Sequence, residues 1–193
     1  MKTNVALIAF CIFLVFLAGC IPSIHPLYHE EDIVFKPELL GSWQQDDAKW
    51  VFEQSGEDGY LLKFYEDNNL INENQTYSDF DVTLVKLGGN FYLDIYPGEN
   101  EQIEFSTLLL STLLPVHAFA KIDFLEEGIE IKFLNRDWLE ELLKENPMII
   151  AHEKTPDYLV LTASTDELQE FIMKYSNVEE AFVESSLLKR ITG

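Results

Sequence analysis

The spacing of apolar and polar residues changes twice along this chain. Residues 5–16 (VALIAFCIFLVF) are an unbroken apolar run. From about residue 39 to residue 134, apolar side chains recur at every second position in short runs broken by turn residues. That is the period of strands with one buried face. Beyond residue 134 the apolar positions fall three and four apart, the period of a helix with one buried stripe.

The alternating region predicts strands at residues 40–44, 49–54, 60–66, 76–87, 91–96, 117–125 and 129–134. Glu57-Asp58-Gly59 and Gly88-Gly89-Asn90 read as tight hairpin turns, the first through an Asp-Gly pair that supplies positive φ. In residues 76–87, Phe80, Val82 and Leu84 share a face. In residues 91–96, Phe91, Leu93 and Ile95 face one way and Tyr92, Asp94 and Tyr96 the other. A helix is predicted over residues 136–145, with Trp138, Leu139, Leu142 and Leu143 inward and Glu140–Lys144 as an outward pair. Residues 158–163 read as a strand. Ser164 and Glu167 form a capping box that opens a second helix with Leu168, Phe171, Ile172 and Tyr175 on one face. Residues 186–191 read as a last strand. The expected fold is mainly β with two helices, an antiparallel meander that forms a barrel or a strongly curled sheet.

The N-terminal apolar run is shorter than the roughly 20 residues that span a bilayer. With Met1-Lys2-Thr3-Asn4 before it, it matches the core of a secretory signal. Leu17-Ala18-Gly19-Cys20 resembles the lipobox of bacterial lipoproteins. That resemblance implies cleavage before Cys20, a diacylglyceryl thioether on its sulfur and acylation of the new amino group. The alternatives are an ordinary secretory signal and an uncleaved anchor. The chain is thus expected to divide into a cleaved signal (1–19), a lipidated Cys20 with a tether (20–38), and a single β-rich domain (39–193). In envelopes with two membranes, Ile21 rather than Asp after the cysteine implies the outer membrane.

Charge and cysteine content narrow the function. The chain has 13 Lys plus Arg and 34 Asp plus Glu, a net charge of −21. Removing residues 1–19 takes away one lysine and no acid, leaving 12 − 34 = −22. This excludes nucleic acid as a partner, and a polybasic grip on anionic lipid. The only cysteines are Cys11, within the signal, and Cys20. With Cys20 acylated, the mature chain has neither a disulfide nor a thiol nucleophile.

Gly41-Ser42-Trp43 resembles the Gly-x-Trp motif that opens the first strand of lipocalins. The resemblance implies an eight-stranded barrel with Trp43 plugging one end and stacking on a late basic residue, for which Arg190 is the candidate. The chain departs from that family in alternating two helices with strands after residue 134, where lipocalins carry one late helix. The lipobox, short tether and Gly-x-Trp sheet together resemble a class of bacterial lipoproteins to which no activity is attached.

Candidate chemistry is sparse. His25 and His29 with Glu30, Glu31 and Asp32 have metal-ligating side chains, but they suit a solvated acidic tether better, and no metal or other cofactor is expected. His117 and His152 lack a nucleophile motif nearby. Tyr92, Asp94 and Tyr96 could edge a pocket, or form the wet side of a sheet. Asp79 and Asp81 share a strand face and do not by themselves make a hydrolytic pair. Residues 108–116 are leucine-rich without alternation, a plug, a lid or a docking patch. The expectation is a non-enzymatic, membrane-anchored envelope protein that binds a small apolar ligand or a protein partner. Its candidate contacts are Trp43, Trp50, Phe64, Phe91, Leu108, Leu110, Leu113 and Leu114. The alternatives are an accessory subunit of an envelope assembly, using an acidic face and a sheet edge, and, less favoured, a hydrolase using a carboxylate or His117.

Overall fold

The computed structural model describes residues 20–66, 77–98, 113–156 and 158–191. In chain order its elements are β1 (Pro22–Ser23), β2 (Gly41–Gln45), β3 (Ala48–Ser55), β4 (Gly59–Tyr65), β5 (Ser78–Leu87), β6 (Asn90–Pro97), β7 (His117–Leu125), β8 (Gly128–Leu134), α1 (Arg136–Glu145), β9 (His152–Lys154), β10 (Leu159–Leu161), α2 (Thr165–Tyr175) and β11 (Phe182–Arg190). The strands pair in the order β6-β5-β4-β3-β2-β11-β8-β7, and β6 also pairs with β7. This closes an eight-stranded barrel in which every neighbour is antiparallel. The small strands β1, β10 and β9 extend from the β8-side edge of β7, at its first residues.

Alternation along the strands creates two cores. Inside the barrel, Phe52, Leu62, Val82, Leu84, Leu93, Ile122, Ile131 and Leu188 pack together. On one outer face, Val85, Leu87, Tyr92, Phe119 and Leu134 meet Leu139 and Leu143 of α1 and Leu168, Phe171 and Ile172 of α2. β6 therefore is buried on both sides: Leu93 and Ile95 point in, while Tyr92 points out beneath the helices and Asp94 beneath the N-terminal segment. Burial, with the Asp123 carboxylate nearby, pushes the Tyr92 hydroxyl up to about 12.

The two barrel ends differ. The turn end carries the β3–β4, β5–β6 and β7–β8 hairpins and is plugged by residues 34–40. Trp43 Nε1–H donates to the Leu39 carbonyl at 2.9 Å. The Arg190 guanidinium lies over the Trp43 ring at 4.3 Å and donates to the Leu40 and Glu38 carbonyls at 2.9 and 2.6 Å. Phe35 stacks on Tyr60, whose hydroxyl accepts the Lys36 N–H at 2.7 Å. The Gly-x-Trp expectation, including Arg190 as the stacking partner, is met. The opposite, loop end receives the β2–β3, β4–β5 and β6–β7 connections and the helical connection from β8 to β11.

Several local expectations change. Residues 21–37, expected as a tether, are folded against the body: Ile21 and Leu27 are buried and β1 belongs to the sheet. No periodicity marked β1 or β9 because they hold two and three residues. β11 begins at Phe182 rather than residue 186. In the β3–β4 hairpin the positive φ sits at Gly56 (66°), not at Gly59. Gly59 is required by packing, since a Cβ there would stand 2.9 Å from the Ser55 carbonyl oxygen. Glu140 does not pair with Lys144; it takes Arg136 and Lys154 at 3.0 and 2.7 Å, which together hold its carboxyl below the usual range. Lys144 turns to Glu141 instead.

Gly41 has φ 121°, and a Cβ on it would approach Arg190 Nη1 to 2.7 Å. Gly41→Ala should therefore both strain the backbone and dislodge the guanidinium from its two carbonyls. The expected loss is about 1–3 kcal/mol, measurable as an earlier urea midpoint with a red-shifted Trp43 emission.

Candidate functional site

At the loop end, strand alternation turns several aromatic rings toward the barrel interior. Trp50 on β3, Phe64 on β4, Phe80 on β5 and Phe133 on β8 are half-buried against the inner core. All stand within three positions of their strand ends on this side. Trp50 meets Phe64 edge-on with ring centroids 5.0 Å apart, and it stacks on Phe52 at 6.3 Å. Among the described residues, the buried Trp50 Nε1–H has no hydrogen-bond acceptor. A buried donor left unpaired costs about 1–3 kcal/mol. The paired strands at this end present apolar surface inward, while Lys49, Lys63 and Asp79 alternate to the outer side.

A second arrangement lies on the outer face of β6 and β7 at the same end. Asp94 is 2% exposed. Its Oδ1 accepts from His117 Nδ1 at 2.6 Å and its Oδ2 accepts the Leu27 N–H at 2.7 Å. Tyr96 packs on the His117 ring at 4.6 Å. Ser23 stands opposite His117 in the β1–β7 register, so serine, histidine and aspartate are neighbours. Yet Ser23 is wholly buried and its hydroxyl donates to the His25 carbonyl at 2.8 Å. The group is a clasp on the N-terminal segment. The start of α2 completes it: Thr165 Oγ1 donates to the Pro26 carbonyl, Gln169 Nε2 to the Leu27 carbonyl and to Asp32, and His29 Nε2 meets Asp166 at 2.8 Å.

The sequence-derived contact residues fall in different places. Trp50 and Phe64 come together at the loop end. Trp43 belongs to the plug, and Phe91 lies at the turn end beside Phe124, where Lys36 Nζ sits 5.0 and 4.8 Å from the two rings. All four share the inner face, but strand alternation does not say which end a residue occupies. Leu113 and Leu114 are 52% and 64% exposed just before β7. Leu108 and Leu110 lie outside the described residues. Phe80 and Phe133 join Trp50 and Phe64 at the loop end, although neither is among the contacts the sequence suggests. His25, His29 and Asp32 do not converge; among the described residues no group of three His, Cys, Asp or Glu side chains is placed to hold a metal. His152 lies two strands from Ser23, with Leu161 between them, and its Nδ1 is 3.0 Å from the Ile150 carbonyl. Tyr92 and Asp94, read as a pocket edge or a wet face, are instead buried, Tyr92 beneath the helices and Asp94 beneath the N-terminal segment.

Comparison with protein-family models, curated proteins and solved structures gives no match. Among the described residues no helix is long and apolar enough to cross a membrane.

Asp94→Ala should leave the Leu27 N–H and the His117 imidazole unpaired in a buried site. The expected cost is about 2–4 kcal/mol, with faster amide exchange over residues 22–32; Asp94→Asn, which retains an acceptor, should cost less. The Asp166 hydrogen bond raises the His29 pKa above its ordinary value. A raised pKa means that the contact favours the fold at acidic pH and is lost as pH rises through the raised value. In an NMR titration, Asp166→Asn should move the His29 midpoint downward.

Proposed function

We propose that this chain is a lipid-anchored bacterial envelope protein, not an enzyme, whose barrel receives a small apolar molecule through its loop end. The single observation that carries this reading is the asymmetry of the barrel. One end is sealed by Trp43, Arg190 and residues 34–40, while the other turns the half-buried rings of Trp50, Phe64, Phe80 and Phe133 inward. A closed barrel with one plugged end offers a ligand a single way in. Among the described residues, the inner wall at the loop end supplies aromatic surface and one unpaired N–H, while the cations Lys36 and Arg190 lie on rings at the plugged end. The lipobox-like Leu17-Ala18-Gly19-Cys20 supports the anchor, with the outer membrane as its place in a two-membrane envelope. Two or more acyl chains make such attachment stable.

An accessory role is the second reading. It is favoured by β9, a sheet edge with no further strand on it among the described residues. Met148 and Tyr158, 90% and 68% exposed, flank it. An extended segment of a partner could add to that edge.

Two measurements test the proposal. With residues 1–19 replaced by an ordinary cleavable secretory signal, Cys20→Ser should move the protein from the membrane to the soluble fraction. Native mass spectrometry of the full chain taken from its own envelope should show a retained apolar mass, which Trp50→Ala with Phe64→Ala loses. A bare chain in both cases, together with in-cell crosslinks at residues 152–154, would replace the carrier reading with the accessory one.

A further inference from the structure

We propose that the molecule received through the loop end is uncharged and carries a hydrogen-bond acceptor, a ketone, ester or amide oxygen, which takes the Trp50 indole N–H. This rests on the carrier reading and adds a ligand class to it.

Two inward-facing tryptophans use their N–H groups differently. Trp43 on β2 gives its Nε1–H to the Leu39 carbonyl at 2.9 Å and so serves the plug. Trp50 on β3 has a buried Nε1–H with no acceptor among the described residues. It is the one such donor on the inner face, because the other buried unpaired atoms, Asp79 Oδ1 and the Tyr92 hydroxyl oxygen, belong to the outer side.

The surroundings explain why the fold leaves this donor unpaired. The indole packs on Phe52 and Phe64, with ring centroids 6.3 and 5.0 Å away, and Phe80 and Phe133 add only apolar surface. At Trp50, β3 is paired with β2 on one side and β4 on the other, so its backbone groups are engaged along the sheet. A buried water needs about three polar partners, and the described wall offers it one. An oxygen on an otherwise apolar guest needs only the indole. There is a place for that guest opposite Trp50. Counted round the closed barrel in either direction, β7 is four strands from β3 and therefore faces it. The inward residues of β7 toward the loop end are Ala118 and Ala120, the side chains of least bulk in this wall.

Charge sets the second requirement. An ionised group within an apolar wall needs a countercharge. Among the described residues, the cations set over inward rings are Lys36, Lys86 and Arg190, at Phe91, Phe124 and Trp43 toward the plugged end. The Arg190 guanidinium is committed to the Leu40 and Glu38 carbonyls. With a net charge of −21, the chain also repels anions at a distance. A neutral acceptor fits this wall and a carboxylate does not.

Butylbenzene, butyrophenone and 4-phenylbutyrate share a ring and a short chain, and differ in carrying no acceptor, a ketone or an anion. The chain from residue 20 onward, exported behind an ordinary cleavable signal and carrying Cys20→Ser, would be titrated with each in the absence of detergent. Its three tryptophans give few indole N–H resonances, and Trp50→Phe identifies that of Trp50 by its loss. Butyrophenone should move the Trp50 indole proton downfield and butylbenzene should not, while the Trp43 resonance, tied to Leu39, stays in place. Trp50→Phe should weaken butyrophenone about three- to tenfold more than it weakens butylbenzene, the effect of one hydrogen bond. The anion should bind about tenfold more weakly than the ketone, or less. Equal losses for the two neutral probes in Trp50→Phe, or tighter binding of the anion, would overturn the ligand class and leave a carrier. Binding of neither neutral probe would sink the carrier reading and this class with it.

Discussion

The pairing of β6 with β7 is the contact on which the rest depends. Five residue pairs, from Phe91 with Ile122 to Ile95 with Ala118, join the first and last strands of an otherwise linear sheet. Closure removes the free edges of the eight barrel strands and separates an inside from an outside. It also explains the composition of β6. A strand with one wet face would carry polar residues on it, but β6 has Tyr92 and Asp94 outward and both are buried. The outer side of the seam is where α1, α2 and the N-terminal segment pack. Closure of the barrel and attachment of the helices are thus the same event seen from two faces.

The N-terminal segment links the two cores. It enters the outer core at Ile21, crosses β7 as β1, is held at Leu27 by Asp94, and bonds β5 through Val34 N–H and the Leu84 carbonyl. It then plugs the turn end with Phe35 and Leu39. A domain without disulfides must hold such a strap by burial and hydrogen bonds alone. Buried Asp94 serves this well. Its two oxygens satisfy one backbone donor and one imidazole, so a group that would be costly alone becomes a fixed point. The same chemistry explains why a serine, a histidine and an aspartate sit together here without a reactive hydroxyl: the Ser23 oxygen is already spent on the turn at His25.

Much of the barrel was legible from alternation. Helix α1 and strand β7 have the boundaries expected, and Phe80, Val82 and Leu84 face inward as their spacing required. The capping box at Ser164 and Glu167 forms. Trp43 with Arg190 was readable because a short motif carried a spatial partner with it. The clasp was not readable. Leu27 and Asp94 are 67 positions apart and Gln169 and Asp32 137 apart, and nothing local in either segment announces the other. The N-terminal segment hides its seating for a related reason: its prolines and acids look solvated, yet Ile21 and Leu27 are buried and its backbone is held by Asp94, Thr165 and Gln169.

The sequence alone determined what depends on neighbours along the chain. That includes the strand and helix periods, the tight turns, the strong negative charge, a content of two cysteines and the lipobox-like end. Tertiary structure alone decided what depends on closure. It set which end of the barrel each inward aromatic occupies, sending Trp43 and Phe91 to the plug and Trp50 and Phe64 to the loop end. It also turned an apparently wet strand face into a second core. A period of two says only that a side chain lies on one side of a sheet. What waits on that side is set by strands and helices far away in the chain, once the seam between β6 and β7 has formed.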